Sequence, residues 1–229
     1  MKKFSEMLKA LFIKEWIKIR WILIGFFVVS LFSAAKLMMD IHHQIELMGA
    51  ANLWDILLFN NFNPYRWMEY VPLFTGIAIA LAQFIPEVQQ KRIKLMFHLP
   101  VNENRMLMQL TLMGDLFLFV IFLSELLIAL TGITFVLPKK LVTDAFITFA
   151  PWFLGGITAY HLTVMVIFES TAFRRLFLIL IASAFITLFY QTATTGAYRP
   201  ALPLLGILTL LAFFTHLYTA YRFRKGINQ

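Results

Sequence analysis

Five residues that titrate fall inside or at the rim of long apolar stretches: Glu69, Asp115, Glu125, His161 and His216. Such groups are costly in a bilayer, so each calls for a partner or a task. Asp115, His161 and His216 lie toward the same end of their stretches and Glu125 toward the other. Histidine changes charge near neutrality, so Asp115 accepting a hydrogen bond from His161 would be material for a proton relay. Polar pairs that fix helix packing rank ahead of that reading. A metal or catalytic centre ranks behind both, because no HExxH helix and no clustered ligand spacing is present. The adjacent His42 and His43 read as a solvated pair rather than as ligands. Glu69 is placed to pair locally with Arg66, three residues before it. With no cysteine there is no thiolate nucleophile or disulfide framework. No GxxxxGK[ST] loop and no GxGxxG occurs, so any ATP hydrolysis belongs to another polypeptide. The chain reads as having no catalytic residues, no metal site and no cofactor of its own.

The elements that must position these groups are membrane spans. Hydrophobic residues make up 60% of the 229, charged residues only 14%, phenylalanine alone supplies 25, and mean hydropathy is +0.77. That composition excludes a soluble globular domain. The net charge of +8 is gathered at the ends of apolar runs, which marks membrane orientation rather than a nucleic-acid surface. Spans are expected at about 21–39, 66–84, 105–136, 146–168, 176–191 and 201–221, within a single domain covering 1–229. Before them, Phe4, Leu8, Leu11, Phe12, Trp16 and Ile19 recur at helical spacing while Lys14 and Lys18 lie elsewhere on the wheel. Residues 1–20 therefore read as an amphipathic helix in the headgroup region. Ser33-Ala34-Ala35 mimics a signal cleavage site, but the long amphipathic lead and the later spans favour an uncleaved first span. Residues 40–65 are too weakly apolar to cross and read as a surface-lying segment. Gly76, Ala78, Ala80 and Ala82 would let a neighbouring helix approach closely, and Gly155-Gly156 would loosen the fourth span. With both termini cytoplasmic, the inner segments hold fifteen Lys and Arg and the outer ones five. That asymmetry supports six spans.

Two further stretches carry candidate functions. Phe185, Thr187, Tyr190 and Gln191, with the threonines after them, are material for lining a pathway; an ordinary span end followed by a polar turn is an equal reading. The segment 86–105, PEVQQKRIKLMFHLPVNENR, is the only long charged break in the apolar middle. As a helix it puts Glu87, Lys91, Lys94 and His98 on one face and Ile93, Met96 and Phe97 on the other. Pro100 stops it, and Asn102 with Glu103 can cap the next helix.

The order Glu87, Lys91-Arg92, Leu95, Leu99-Pro100-Val101 resembles the loop between the second and third spans of ABC-2 type transporter permeases. The likeness extends to six spans behind an amphipathic helix and covers nearly the whole chain. It departs in one place, because Arg92-Ile93-Lys94 lacks the glycine usual after the basic residue. The resemblance implies an all-α integral membrane protein of six transmembrane helices with an N-terminal interfacial helix and cytoplasmic termini. It also implies a coupling loop carried by Glu87, Lys91, Arg92, Lys94, Leu95, Met96, Phe97, Leu99 and Pro100. The expected partners are a separate ABC ATPase that binds ATP and Mg, a second permease copy or a homologous permease, and the bilayer, in a bacterial inner membrane. The implied activity is ATP-driven export. A proton-coupled secondary transporter built on Asp115, Glu125, His161 and His216 is the first rival, and an intramembrane enzyme built on the histidines is the second.

Overall fold

The computed structural model describes residues 2–59, 65, 68–90, 103–191 and 195–225. Among them lie α1 (Lys2–Met48), α2 (Ala50–Phe59), α3 (Val71–Gln89), α4 (Glu103–Thr134), α5 (Lys139–Phe168), α6 (Ala172–Thr187) and α7 (Leu202–Lys225), and no strand. Four of these helices contain stretches long and apolar enough to cross a membrane: Lys9–Met48, Val71–Gln89, Arg105–Thr134 and Lys139–Phe168. In α6 the helix has 16 residues, about 24 Å, and in α7 the apolar part is Leu202–Thr215.

Helix ends follow hydrogen-bonding chemistry rather than the limits of the apolar runs. The amphipathic stretch 1–20, expected as a separate interfacial helix, is continuous with the first span in α1, whose 47 residues rise about 70 Å. No proline interrupts it, and Gly25 is tolerated because a helix interior accepts single glycines at modest cost. The break comes at Gly49, whose φ of +80° is open to glycine without strain. Its N–H still donates to the Ile45 carbonyl at 2.8 Å, closing the last turn. The expected surface segment 40–65 thus begins as the end of α1 and continues as α2, which buries Leu53 and Leu57. The second expected span, α3, starts at Val71 rather than 66, with Pro72 in its first turn, where a missing N–H costs nothing. It runs past the expected end at 84 through Pro86 and Glu87 to Gln89, so the first residues of the charged segment are helical. Likewise α5 begins at Lys139, seven residues before the apolar run, because Leu141 and Ala145 have a core to enter.

Residue pairings give the direction of each helix. Along α1, Ser30 faces Glu125 and Met38 faces Gly132, so α1 and α4 run parallel. Between α3 and α5, Pro72 meets Gly156 and Phe84 meets Phe168, again parallel. Gly114 opposite Tyr160 and Phe122 opposite Phe153 make α4 antiparallel to α5. Thr158 with Thr209 and His161 with Phe213 make α7 parallel to α5. The Tyr190 hydroxyl donates to the Trp152 carbonyl and Ala182 packs with Met165, so α6 is antiparallel to α5. Chain direction therefore alternates along α1, α3, α4, α5, α6 and α7.

The centre of this bundle is α5. It packs on α3, α4, α6 and α7, and from Thr158 to Leu162 it is buried without interruption. The Gly155-Gly156 pair does not loosen it. A Cβ on Gly156 would stand 2.6 Å from the Pro72 carbonyl oxygen, and one on Gly76 would strike the Gly156 carbonyl. Small residues here let α3 and α5 touch backbone to backbone, the usual device where lipid supplies no hydrophobic drive between helices. Two apolar cores stack along the bundle. One gathers Ile19, Ile79, Phe84, Leu110, Phe117 and Tyr160, and the other Leu37, Ile41, Leu53, Phe149 and Trp152. By contrast α6 buries only Ala182 fully and presents Phe173, Leu176, Phe177 and Leu180 outward. That much exposed carbon is costly in water and costless in hydrocarbon, so the chain is a membrane protein.

Candidate functional site

Where α3 ends, a four-residue charge network fastens it to α1. Glu87 is fully buried and its Oε1 lies 2.9 Å from Lys14 Nζ and 3.0 Å from Lys18 Nζ. Lys18 Nζ also donates to Glu15 Oε1 at 2.9 Å and stands 2.8 Å from Oε2. Glu15 is fully buried too, one turn from Lys18 on the same helix. Two ammonium groups and two carboxylates cancel in formal charge, which is how a membrane-end helix tolerates buried acids. Because α1 continues as one helix, this latch ties the loop-proximal end of α3 to a rod that runs the length of the bundle. Each carboxylate is paired with at least one ammonium group, so what the cluster does visibly is to tie the two helices together. Only Gln90 separates the helix it holds from residue 91.

One turn deeper, a neutral polar ladder joins α3, α4 and α5. The Tyr160 hydroxyl donates to Gln83 Oε1 at 2.7 Å, and the Gln83 amide donates to the Leu110 carbonyl at 2.8 Å. All three groups are buried, so each bond relieves a desolvation cost of about 1–3 kcal/mol. Gly114 makes room for the Tyr160 ring end, since a Cβ there would overlap the hydroxyl. Next to it, His161 Nε2 lies 3.1 Å from Asp115 Oδ1, with His161 buried and the Asp115 side chain 22% exposed. The His161 ring also stands edge-on to Tyr160 and Phe213, each about 5 Å away between centroids. Thr158 and Thr209 share a hydrogen bond of 3.0 Å between α5 and α7.

Glu125 sits apart, in the other half of the bundle. It is fully buried, and Ser30 on α1 faces its carboxyl. At that end Arg199 pairs with Asp144 at 3.0 Å, and the Gly196 N–H donates to Thr148 Oγ1 at 2.9 Å, tying the turn before α7 to α5.

Of the sequence-predicted site residues, Glu87 is in the latch and Asp115 and His161 stand together. Glu125 stands with Ser30 and not with that pair. Lys91, Arg92, Lys94, Leu95, Met96, Phe97, Leu99 and Pro100 lie outside the described residues, as does the side chain of His216. Phe185 packs between α5, α6 and α7 and contacts the Phe189 ring at 6.3 Å. Thr187 is exposed and bonds its own Ala184 carbonyl, and Gln191 gives its backbone N–H to the Tyr198 hydroxyl. Tyr190 stacks on Tyr70, with centroids 5.9 Å apart, while bonding Trp152. Sequence reasoning passed over Lys14, Glu15 and Lys18 as surface charges and did not single out Gln83 or Tyr160. The signals were there in part: Glu15 and Lys18 are three apart, and Gln83 is a lone amide in an apolar run. Comparison with protein-family models, with curated proteins and with solved structures finds no match.

Proposed function

We propose that this chain is the membrane-spanning permease subunit of an ATP-driven transporter of the ABC-2 type, exporting its substrate from a bacterial cytoplasmic membrane. In this reading it crosses the membrane six times with both termini cytoplasmic and works beside a second copy or a homologous permease. A separate ATPase binds ATP and Mg and docks on the 86–105 segment. The observation that carries the proposal is the latch of Lys14 and Lys18 on Glu87. A loop pushed by a partner moves a membrane only if its root is fixed to something rigid, and Glu87 roots it to α1 and α3 together. The alternation of helix direction supports an even number of crossings, with the short α6 matched by local thinning of the bilayer.

The decisive experiment tests the loop. Burying a side chain such as Met96 or Phe97 contributes about 1.5–3 kcal/mol, so a charge there should cost at least tenfold in binding. Met96→Asp and Phe97→Asp should lose ATPase pull-down or uncouple hydrolysis from transport, while Lys91→Ala should change little. Wild-type association and transport by both aspartate variants, inserted normally, would reduce this loop to a connector. The 3.1 Å approach of Asp115 and His161 supports a second reading, proton-coupled transport. It predicts uptake or efflux driven by a proton gradient without ATP and abolished by Asp115→Asn.

A further inference from the structure

Between α1 and α4 runs an open groove of about 440 Å³, bounded by Phe12, Trp16, Leu23, Phe27, Leu116 and Val120 among others, with no polar atom on its walls. Most of these side chains are exposed, although the helices that carry them pack firmly above and below. Its floor is aromatic: Phe12 and Trp16 both lean on Phe117, with centroids 5.5 and 6.1 Å apart. From Arg20 to Phe27 the groove follows α1 for about 10 Å, so it covers the upper two thirds of the roughly 15 Å an acyl chain travels from the interface to the bilayer midplane. A small polar ligand has nothing to hold there.

Charge identifies the occupant. On the helical wheel Lys9 lies three and seven residues before Phe12 and Trp16, and Arg20 lies four after Trp16 and seven before Phe27. Both cations are exposed and share the face of α1 that lines the groove. The other nearby lysines, Lys14 and Lys18, lie on a different face and are committed to Glu15 and Glu87. Among the described residues no carboxylate pairs with Arg20, whose guanidinium stands 5.4 Å over the Trp21 ring. A cation held by an interfacial tryptophan above a carbon-lined slot suits a negatively charged headgroup with an alkyl tail.

We propose that this groove is a binding site for an anionic phospholipid, its phosphate on Arg20 with Lys9 adding attraction and one acyl chain lying against Leu23, Phe27, Leu116 and Val120. The lipid completes the α1–α4 seam at the end of the bundle that carries the charge latch. Its occupancy does not depend on the transporter reading, only on the chain lying in a membrane.

The test uses the full chain purified in mild detergent, with retained lipid counted by native mass spectrometry after exchange against equal phosphatidylglycerol and phosphatidylcholine. One phosphatidylglycerol should remain in clear excess over phosphatidylcholine. Arg20→Gln, at an exposed position, should lower its retention about fivefold, as removal of one basic residue near an anionic surface predicts. Val120→Trp, which fills the slot with carbon, should expel the lipid while leaving the protein folded by circular dichroism. If Val120→Trp fails to fold, Arg20→Gln still decides. Equal retention of the two lipids, or retention indifferent to Arg20→Gln, would overturn the site. So would disulfide trapping of two copies through cysteine at Leu116, which would assign the face to a second chain.

Discussion

Replacing Glu87 by glutamine keeps its shape and removes its charge, leaving two ammonium groups facing one carboxylate. At 3 Å and an effective dielectric near 20, each ammonium–carboxylate contact is worth about 5.5 kcal/mol before desolvation. Burial of the carboxylate offsets several kcal/mol of this, and breaking one partner of a buried pair costs about 3–5 kcal/mol. Lys14 keeps 39% of its side chain exposed and can return to water, whereas Lys18, at 14%, cannot do so freely. The loss therefore falls mainly on the Lys18 contact, and about 2–3 kcal/mol is expected for Glu87→Gln. Lys14→Gln should cost under about 1 kcal/mol, in line with half-exposed ion pairs. Lys18→Gln should cost more than Lys14→Gln, because it leaves both buried acids short of a cation. The double variant Lys18→Gln/Glu87→Gln should recover about 1.5–3 kcal/mol relative to the sum of the single ones. Unfolding of the detergent-solubilised chain, followed by tryptophan fluorescence, measures all four proteins; Trp16 lies in the same turn of α1 as Lys14, Glu15 and Lys18. A Glu87→Gln protein within 0.5 kcal/mol of wild type (roughly the scatter of surface substitutions), with no coupling to Lys18, would refute the latch and the rooting of the loop that rests on it.

Three other outcomes can be checked. Gly156→Ala should destabilise by about 1–3 kcal/mol, since its new methyl group meets the Pro72 carbonyl. Gly25→Ala, with nothing within 4 Å, should be neutral or stabilising by up to about 1 kcal/mol, and equal effects at both sites would refute the backbone contact. Tyr160→Phe should cost about 1–3 kcal/mol by leaving the buried Gln83 oxygen without its donor, and the further change Gln83→Leu should restore part of it in a melting measurement. Cysteines placed at Asn52 and Lys140 should label from outside intact cells while those at Gln90 and Asn228 stay protected; outside labelling at Gln90 would reverse the orientation.

Membrane embedding and the all-helical class were legible from residue types alone. A helix satisfies its own backbone, so an apolar run such as 105–136 declares itself wherever it stands in the fold. Helix limits were less legible, because α1 runs through Arg20 and Asp40 as readily as through its apolar middle. Hydropathy measures solvent preference, whereas a helix ends where a residue such as Gly49 turns its backbone aside. Gly155-Gly156 looked like slack, and only the opposing Pro72 and Gly76 turn Gly156 into a backbone-to-backbone contact. Asp115 with His161 was a pair the residue types suggested, but the partners in the latch and the ladder were decided by tertiary structure alone. Glu87 and Lys18 are 69 residues apart, and Tyr160 and Gln83 are 77 apart. Such pairs leave no periodic trace in the sequence, since each residue would look the same with any partner. What joins them is the packing of α1, α3, α4 and α5, which brings these groups to one depth and makes an unpaired alternative too costly to keep.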